Sequence, residues 1–194
     1  MGMGLNLVSL PEEYGGLGLD NLTTAIIREE LAKGDAGFAS RVFGFGFAPV
    51  KIAGSEWQKR WVADIFLNGG IMGFALTESG AGSNAVAMSA TARREGDEYI
   101  LNGGKTFITN GDCADVIATF AVTDKEKGAK GITAFLLPKD TPGFTVGEHE
   151  DKMGIRCVHT NSLFFDEVRL PAKYRLGEEG EGFKIAMKIL DDSR

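Results

Sequence analysis

Two cysteines and two histidines in 194 residues leave little material for a crosslinked or metal-built fold. Cys113 and Cys157 stand in no CxxC or Cys-His spacing, so a reduced pair of the kind found in cytosolic proteins is expected. His149 and His159 would need carboxylate or thiolate partners, and none follows at a recognised zinc spacing, so no metal site is expected. No apolar run approaches the roughly 20 residues that a membrane span requires. The start of the chain also lacks the charged and apolar regions of a secretory signal, so no membrane partner is expected. Positive charge is short as well: 21 Lys and Arg against 27 Asp and Glu give a net charge of −6. The basic residues are dispersed, which excludes a nucleic-acid surface, because phosphate binding needs clustered cations.

What remains is an ordinary globular composition, 43% hydrophobic and 25% charged. Such a chain can bury one core or two small ones. The first third reads as helical. Leu22, Ile26, Ile27 and Leu31 share one helical face, with Asp20 or Asn21 as N-cap and Gly34 as stop. Ser55, three residues before Gln58, forms a capping-box pattern leading into Trp57, Trp61, Val62 and Ile65. Both helices need an apolar partner. The alternating Phe43-Gly44-Phe45-Gly46-Phe47 between them specifies no element.

The texture changes at Gly69-Gly70. Beyond it the sequence predicts a hairpin with Glu95-Gly96-Asp97 at its tip and a further turn at Asn102-Gly103. Strands are expected over Val116–Val122, Ile132–Leu137 and Ser162–Val168, with a charged loop from Asp124 to Gly128 and a turn at Thr141-Pro142-Gly143. This is an antiparallel β domain, a barrel or sandwich. A last helix starts near Gly182-Phe183, and its apolar Ile185, Ile189 and Leu190 have nothing after Arg194 to pack against. We therefore expect a piece of a longer protein.

Two segments concentrate ligand-binding residue types. Phe74-Ala75-Leu76-Thr77-Glu78-Ser79-Gly80-Ala81-Gly82-Ser83-Asn84 precedes the hairpin, and Asn102-Gly103-Gly104-Lys105-Thr106-Phe107-Ile108-Thr109-Asn110 ends it. Glycine permits close backbone approach, hydroxyls donate and accept, and Phe offers a flat apolar face. Gly80-x-Gly82-x-x-Ala85 also fits a loose dinucleotide fingerprint. A Rossmann site would need a following helix and an acidic residue ending the next strand, whereas a hairpin follows and Asp97 lies in its turn. The same glycines read equally as a solvent-exposed turn with positive φ or as an anion nest completed by the Ser83 hydroxyl. Phe107-Ile108-Thr109 reads as strand alternation, with Phe107 and Thr109 on one face.

Taken in order, these segments resemble the acyl-CoA dehydrogenase family along nearly the whole chain. Leu10-Pro11-Glu12-Glu13-Tyr14-Gly15-Gly16-Leu17-Gly18 is similar to an early motif of that family. Residues 76–84 are similar to its LTEPxAGSD signature, residues 101–110 to LNGxKxWITN, and Met153-Gly154-Ile155-Arg156 to its MGxR turn. Phe165-Asp166-Glu167-Val168-Arg169-Leu170-Pro171 and the run from Leu176 to Phe183 follow in the family's order.

The resemblance implies an α+β protein: a partial N-terminal helical domain over residues 1–70, a middle β domain over 71–172, and the start of a C-terminal helical bundle over 173–194. It also implies FAD between the last two. Phe74, Leu76 and Thr77 would line the pyrimidine side of the flavin, and Gly82 and Ser83 would lie near its pyrophosphate, Ser83 also close to an acyl-CoA. Phe107, Ile108 and Thr109 would border the ring, with Thr109 near N5, while Asp191 to Arg194 would form the substrate side. The implied reaction is α,β-dehydrogenation of acyl-CoA thioesters in fatty-acid β-oxidation, with electrons passing to electron-transfer flavoprotein and a cytoplasmic tetramer as the working form.

Three positions depart from the pattern. Ser79 replaces a proline, Asn84 an aspartate and Phe107 a tryptophan. The position of one subfamily's glutamate base is Ser193 here, so the base is expected beyond Arg194 and these residues alone are expected to be inactive. A same-fold flavoprotein oxidase or monooxygenase, and a non-catalytic interaction module, stay open at this point.

Overall fold

A computed structural model of the chain describes residues 4–43 and 46–192. Gly44 and Phe45 of the Phe-Gly run, and Ser193 and Arg194, lie outside the described residues.

Four helices come first: α1 (Asn21–Gly34), α2 (Ala36–Phe43), α3 (Ala48–Ala53) and α4 (Glu56–Leu67). The capping chemistry explains their starts. The Asp20 carboxylate accepts from Thr23 N at 2.7 Å and opens α1. At α4 Ser55 Oγ accepts from Gln58 N and Gln58 Oε1 accepts from Ser55 N, a complete capping box. Gln58 also reaches outward, donating through Nε2 to the carbonyls of Lys173 and Arg175, which fastens α4 to the distant end of the chain. Trp57 and Trp61 stack 5.6 Å apart and meet Tyr174 edge-on. Helix α1 lies against α2 but buries none of its own residues, and Leu22 and Ile26 are exposed.

Eight strands follow: β1 (Met72–Ala75), β2 (Thr91–Glu95), β3 (Glu98–Thr109), β4 (Val116–Val122), β5 (Ile132–Pro138), β6 (Phe144–His149), β7 (Thr160–Pro171) and β8 (Arg175–Leu176). They form one sheet in the order β6-β7-β3-β2-β4-β5-β8, with β1 added beside β4. The pairing is mostly antiparallel, but β1 runs parallel to β4 and Thr91 of β2 pairs parallel with Val122. A last helix, α5 (Gly182–Asp192), packs on β5 and α3.

The apolar runs of β4 and β5 explain the layering, because strands buried on both faces carry no polar alternation. Val116, Ala118 and Phe120 of β4, with Ile132, Ala134 and Leu136 of β5, face a core shared with α3, α4 and α5. Ile117, Ala121, Phe135 and Leu137 face a second core with Tyr99, Leu101, Leu163 and Leu170. Strands β3 and β5 are three places apart in the sheet, about 14 Å if it were flat. Yet the rings of Tyr99 and Phe135 meet at 5.0 Å, so the sheet curls over its own inner core.

The turn expected at Asn102-Gly103 is a bulge instead, and β3 continues through it. Between Leu101↔Val168 and Gly103↔Phe165 the β7 side carries one extra residue. The Asn102 amide fills the gap, accepting from Glu167 N and donating to Glu167 Oε1. Gly103 adopts φ 125°, and a Cβ there would come within 2.8 Å of Ala90 Cα. The residues of a turn therefore serve a strand irregularity.

Candidate functional site

The two motif segments lie side by side because of what happens at the ends of β1 and β3. After Ala75, paired with Thr119, the chain leaves β4, and Leu76 and Thr77 have no further ladder partner there. On β3, Lys105 pairs with Leu163 and Ile108 with Asn161, so three steps on β3 face two on β7. This second bulge takes Thr106 out of register. Its N–H turns to the Thr77 carbonyl at 2.9 Å. The Thr106 hydroxyl meets Ser162 Oγ at 3.2 Å.

The bulge also re-aims Phe107. Its φ is 57°, a left-handed backbone uncommon for a bulky side chain, and its ring is 63% exposed. Such strained backbone clusters at ligand-contacting positions, which makes Phe107 a candidate contact residue. Thr109 is exposed on the same face, as strand alternation predicts, and Ile108 between them is 2% exposed within the inner core. The Ile108 side chain therefore faces away from any ligand over Phe107 and Thr109.

Of the remaining expected site residues, Phe74 is half-buried, its ring edge-on to Phe120 at 5.3 Å, and Leu76 is buried in the core shared with the helices. Gly82 and Ser83 are exposed, just beyond a small bridge in which Glu78 and Ala81 exchange backbone hydrogen bonds at 3.1 and 3.0 Å. Gly80 and Gly82 have no positive φ, so the turn does not use the left-handed freedom that the sequence suggested. A short 3-10 turn, Ala85–Ala87, follows in place of a helix, which removes the Rossmann reading. Asp191 lies exposed on α5, and Arg194 lies outside the described residues.

Sequence reasoning passed over the two charged residues inside the motifs. Lys105 is buried, and its ammonium donates to Glu78 Oε1 at 2.8 Å, to the Leu76 carbonyl at 3.3 Å and to Met88 Sδ at 3.8 Å. Glu78 in turn accepts from Ser89 N, Ser89 Oγ and Ala90 N. Burial pushes the Glu78 carboxyl up, but its bonds from Lys105 and Ser89 outweigh this and hold it below the usual range. For Lys105 burial dominates, and the ammonium is held below its ordinary value despite Glu78. The difference follows from the number of donors on the carboxylate. A signal was available: Tyr99, Leu101 and Lys105 share the inward face of β3, and a lysine there requires a carboxylate.

The two histidines, set aside on spacing, are also brought together. The rings of His149 and His159 lie with centroids 3.9 Å apart and planes tilted by 40°, and Asp112 Oδ2 lies 2.6 Å from His159 Nδ1 and 3.7 Å from His149 Nε2. Asn161 Nδ2 lies 3.1 Å from His149 Nδ1 and donates to the Gly147 carbonyl at 2.9 Å, which ties the cluster to β6. Asp112, His149 and His159 thus bring three possible ligand atoms within 4.8 Å of one another, a grouping that their spacing in the sequence did not show.

The profile of the acyl-CoA dehydrogenase N-terminal domain matches residues 1–69, and that of the middle domain of the same family matches residues 73–168. Human mitochondrial short-chain specific acyl-CoA dehydrogenase is 47% identical over 198 residues, covering 100% of this chain and 48% of the relative. Among solved structures, butyryl-CoA dehydrogenase from Megasphaera elsdenii superposes with a TM-score of 0.91 at 44% identity, covering 97% of this chain and 51% of that one. A chain in a structure described as the electron transferring flavoprotein of Acidaminococcus fermentans gives 0.93 at 45% identity, covering 97% and 50%. The chain belongs to the acyl-CoA dehydrogenase family, of which it carries the N-terminal and middle domains. It spans about half the length of the curated relatives it matches.

Proposed function

We propose that residues 71–172 form the flavin-holding β domain of an FAD-dependent acyl-CoA dehydrogenase acting on short-chain thioesters, flanked by helical residues 1–70 and by the start of a further helical domain at 173–194. The observation that carries this reading is the exposed Phe107 ring, set at φ 57° on the β3 bulge beside the exposed Thr109 hydroxyl and bonded through Thr106 to Thr77. These residues fit the group: a flat apolar face, a hydroxyl able to donate or accept, and a half-buried threonine at the strand end.

When bound, FAD supplies the acceptor for the two electrons removed from the thioester. Everything else is assigned to the protein. Phe107 would pack against the ring, and the Thr109 hydroxyl would serve at N5, able both to donate and to accept. Phe74, Leu76 and Thr77 would line the pyrimidine side, with Ile108 contributing backbone alone. Gly82 and Ser83 would lie toward the pyrophosphate and the CoA moiety, and Asp191 toward the substrate. The α-proton goes to a carboxylate base outside these residues, and the thioester carbonyl needs hydrogen-bond donors as enolate charge develops. The electrons would pass on to electron-transfer flavoprotein, and the working form would be a cytoplasmic homotetramer. The shared likeness to the Acidaminococcus fermentans chain supports that partner.

The test is reconstitution of the whole protein with FAD, followed by anaerobic addition of butyryl-CoA. Bleaching of the flavin absorbance, with slow reoxidation by O₂ and rapid reoxidation by electron-transfer flavoprotein, is expected. Absence of FAD binding overturns the reading. Binding without bleaching, with rapid reaction with O₂ after chemical reduction, points to an oxidase-like relative.

A further inference from the structure

The Glu78–Lys105 pair is an expensive way to hold a core together. Desolvating two charges offsets most of their attraction, and well-packed apolar residues of similar volume often stabilise as well or better. What apolar residues cannot supply is direction. Lys105 sets three donor angles, to Glu78, to the Leu76 carbonyl and to Met88, and Glu78 collects Ser89 and Ala90 at the entry to β2. Leu76 and Thr77 have already left β4, so their carbonyls are fixed by successive residues of β3: Leu76 by Lys105 Nζ and Thr77 by Thr106 N. The pair thus sits where the two motif segments would otherwise slide past one another, one residue from Thr77 and two from Phe107.

We propose that Glu78 and Lys105 are positioning residues that set the spacing between the Leu76-Thr77 and Phe107-Thr109 faces, and through it the seating of the flavin; this rests on the flavin reading above. Neither residue touches the cofactor. Both act through the backbone they hold.

The experiment compares FAD dissociation constants and thermal midpoints of the whole protein carrying Glu78→Gln, Lys105→Met, the double variant Glu78→Gln/Lys105→Met, and Ser89→Ala. Leu170→Ala, in the inner core at the opposite end of the β3–β7 ladder, serves as a control that loses stability without touching the pair. Each single variant of the pair is expected to weaken FAD at least tenfold and to change the visible spectrum of bound flavin, with Ser89→Ala shifting affinity severalfold the same way. The double variant is expected to regain thermal stability, having no lone buried charge, while its FAD affinity stays weakened. That separation of affinity from stability is what a merely structural pair would not produce. If the singles fail to fold, the double variant and Ser89→Ala carry the measurement. Wild-type affinity in both of those, or an equal loss of affinity in Leu170→Ala, overturns the proposal. Failure of the unsubstituted protein to bind FAD overturns the flavin reading and the proposal with it.

Discussion

Phe107 brings backbone and function into opposition at one residue. A left-handed φ costs a bulky L-residue about 1–2 kcal/mol. Glycine would remove that cost while losing about 0.5–1 kcal/mol in chain entropy, and little burial is lost from a ring already 63% exposed. Phe107→Gly is therefore expected to leave the thermal midpoint unchanged or slightly raised while weakening FAD, measured by thermal unfolding and flavin titration on one preparation. A clear fall in stability with intact FAD affinity would contradict the assignment of the ring to the flavin. The alternation of Phe107, Ile108 and Thr109 was legible in the sequence, because period two belongs to any strand. The bulge that turns Phe107 outward was not, because it depends on how β7 counts its residues against β3.

Elements are joined by polar side chains that a helix-only or strand-only reading places at caps. Gln58 closes the capping box of α4, a role visible from its spacing to Ser55. Only the fold shows that its amide also satisfies the Lys173 and Arg175 carbonyls, more than a hundred residues away. Gln58→Ala is expected to cost about 1–3 kcal/mol, because two carbonyls lose their donor at a nearly buried site. Ser55→Ala should cost only about 1 kcal/mol, the ordinary worth of an N-cap. Urea unfolding of the two variants checks the order, and equal losses would show that the long-range bonds add nothing. Asn102-Gly103 gives the same lesson in reverse. Residue types that favour turns also suit bulges, and the choice between them rests on Glu167 of β7 and on Ala90 just before β2.

Acid resistance belongs to the whole molecule, because several elements hold a carboxylate below its usual range. The Thr23 backbone N–H does so for Asp20 and that of Phe38 for Asp35, while Lys127 does so for Asp124. At Glu78 and Asp112 burial opposes the shift, but Lys105 with Ser89, and His159, outweigh it. A carboxyl whose folded pKa lies below its unfolded value contributes stability that is present above the unfolded pKa and lost as pH falls through the folded one. The thermal midpoint is therefore expected to hold from neutrality down to about pH 4.5 and to fall below it. The Glu78→Gln/Lys105→Met variant should show a shallower fall, followed by circular dichroism. A flat profile from pH 5 to 3 would contradict the linkage.

The sequence by itself determined the starts of α1, α4 and α5, the buried strands, the order of the motifs and through them the family, since caps, periodicity and contiguous signatures are local properties of the chain. The tertiary structure decided which way those motifs face. It placed Lys105 against Glu78, turned Phe107 outward over a bulge, and gathered His149, His159 and Asp112 into one cluster. Each depends on register between strands distant in the chain, and a shift of one residue along a strand sends every side chain to the opposite face.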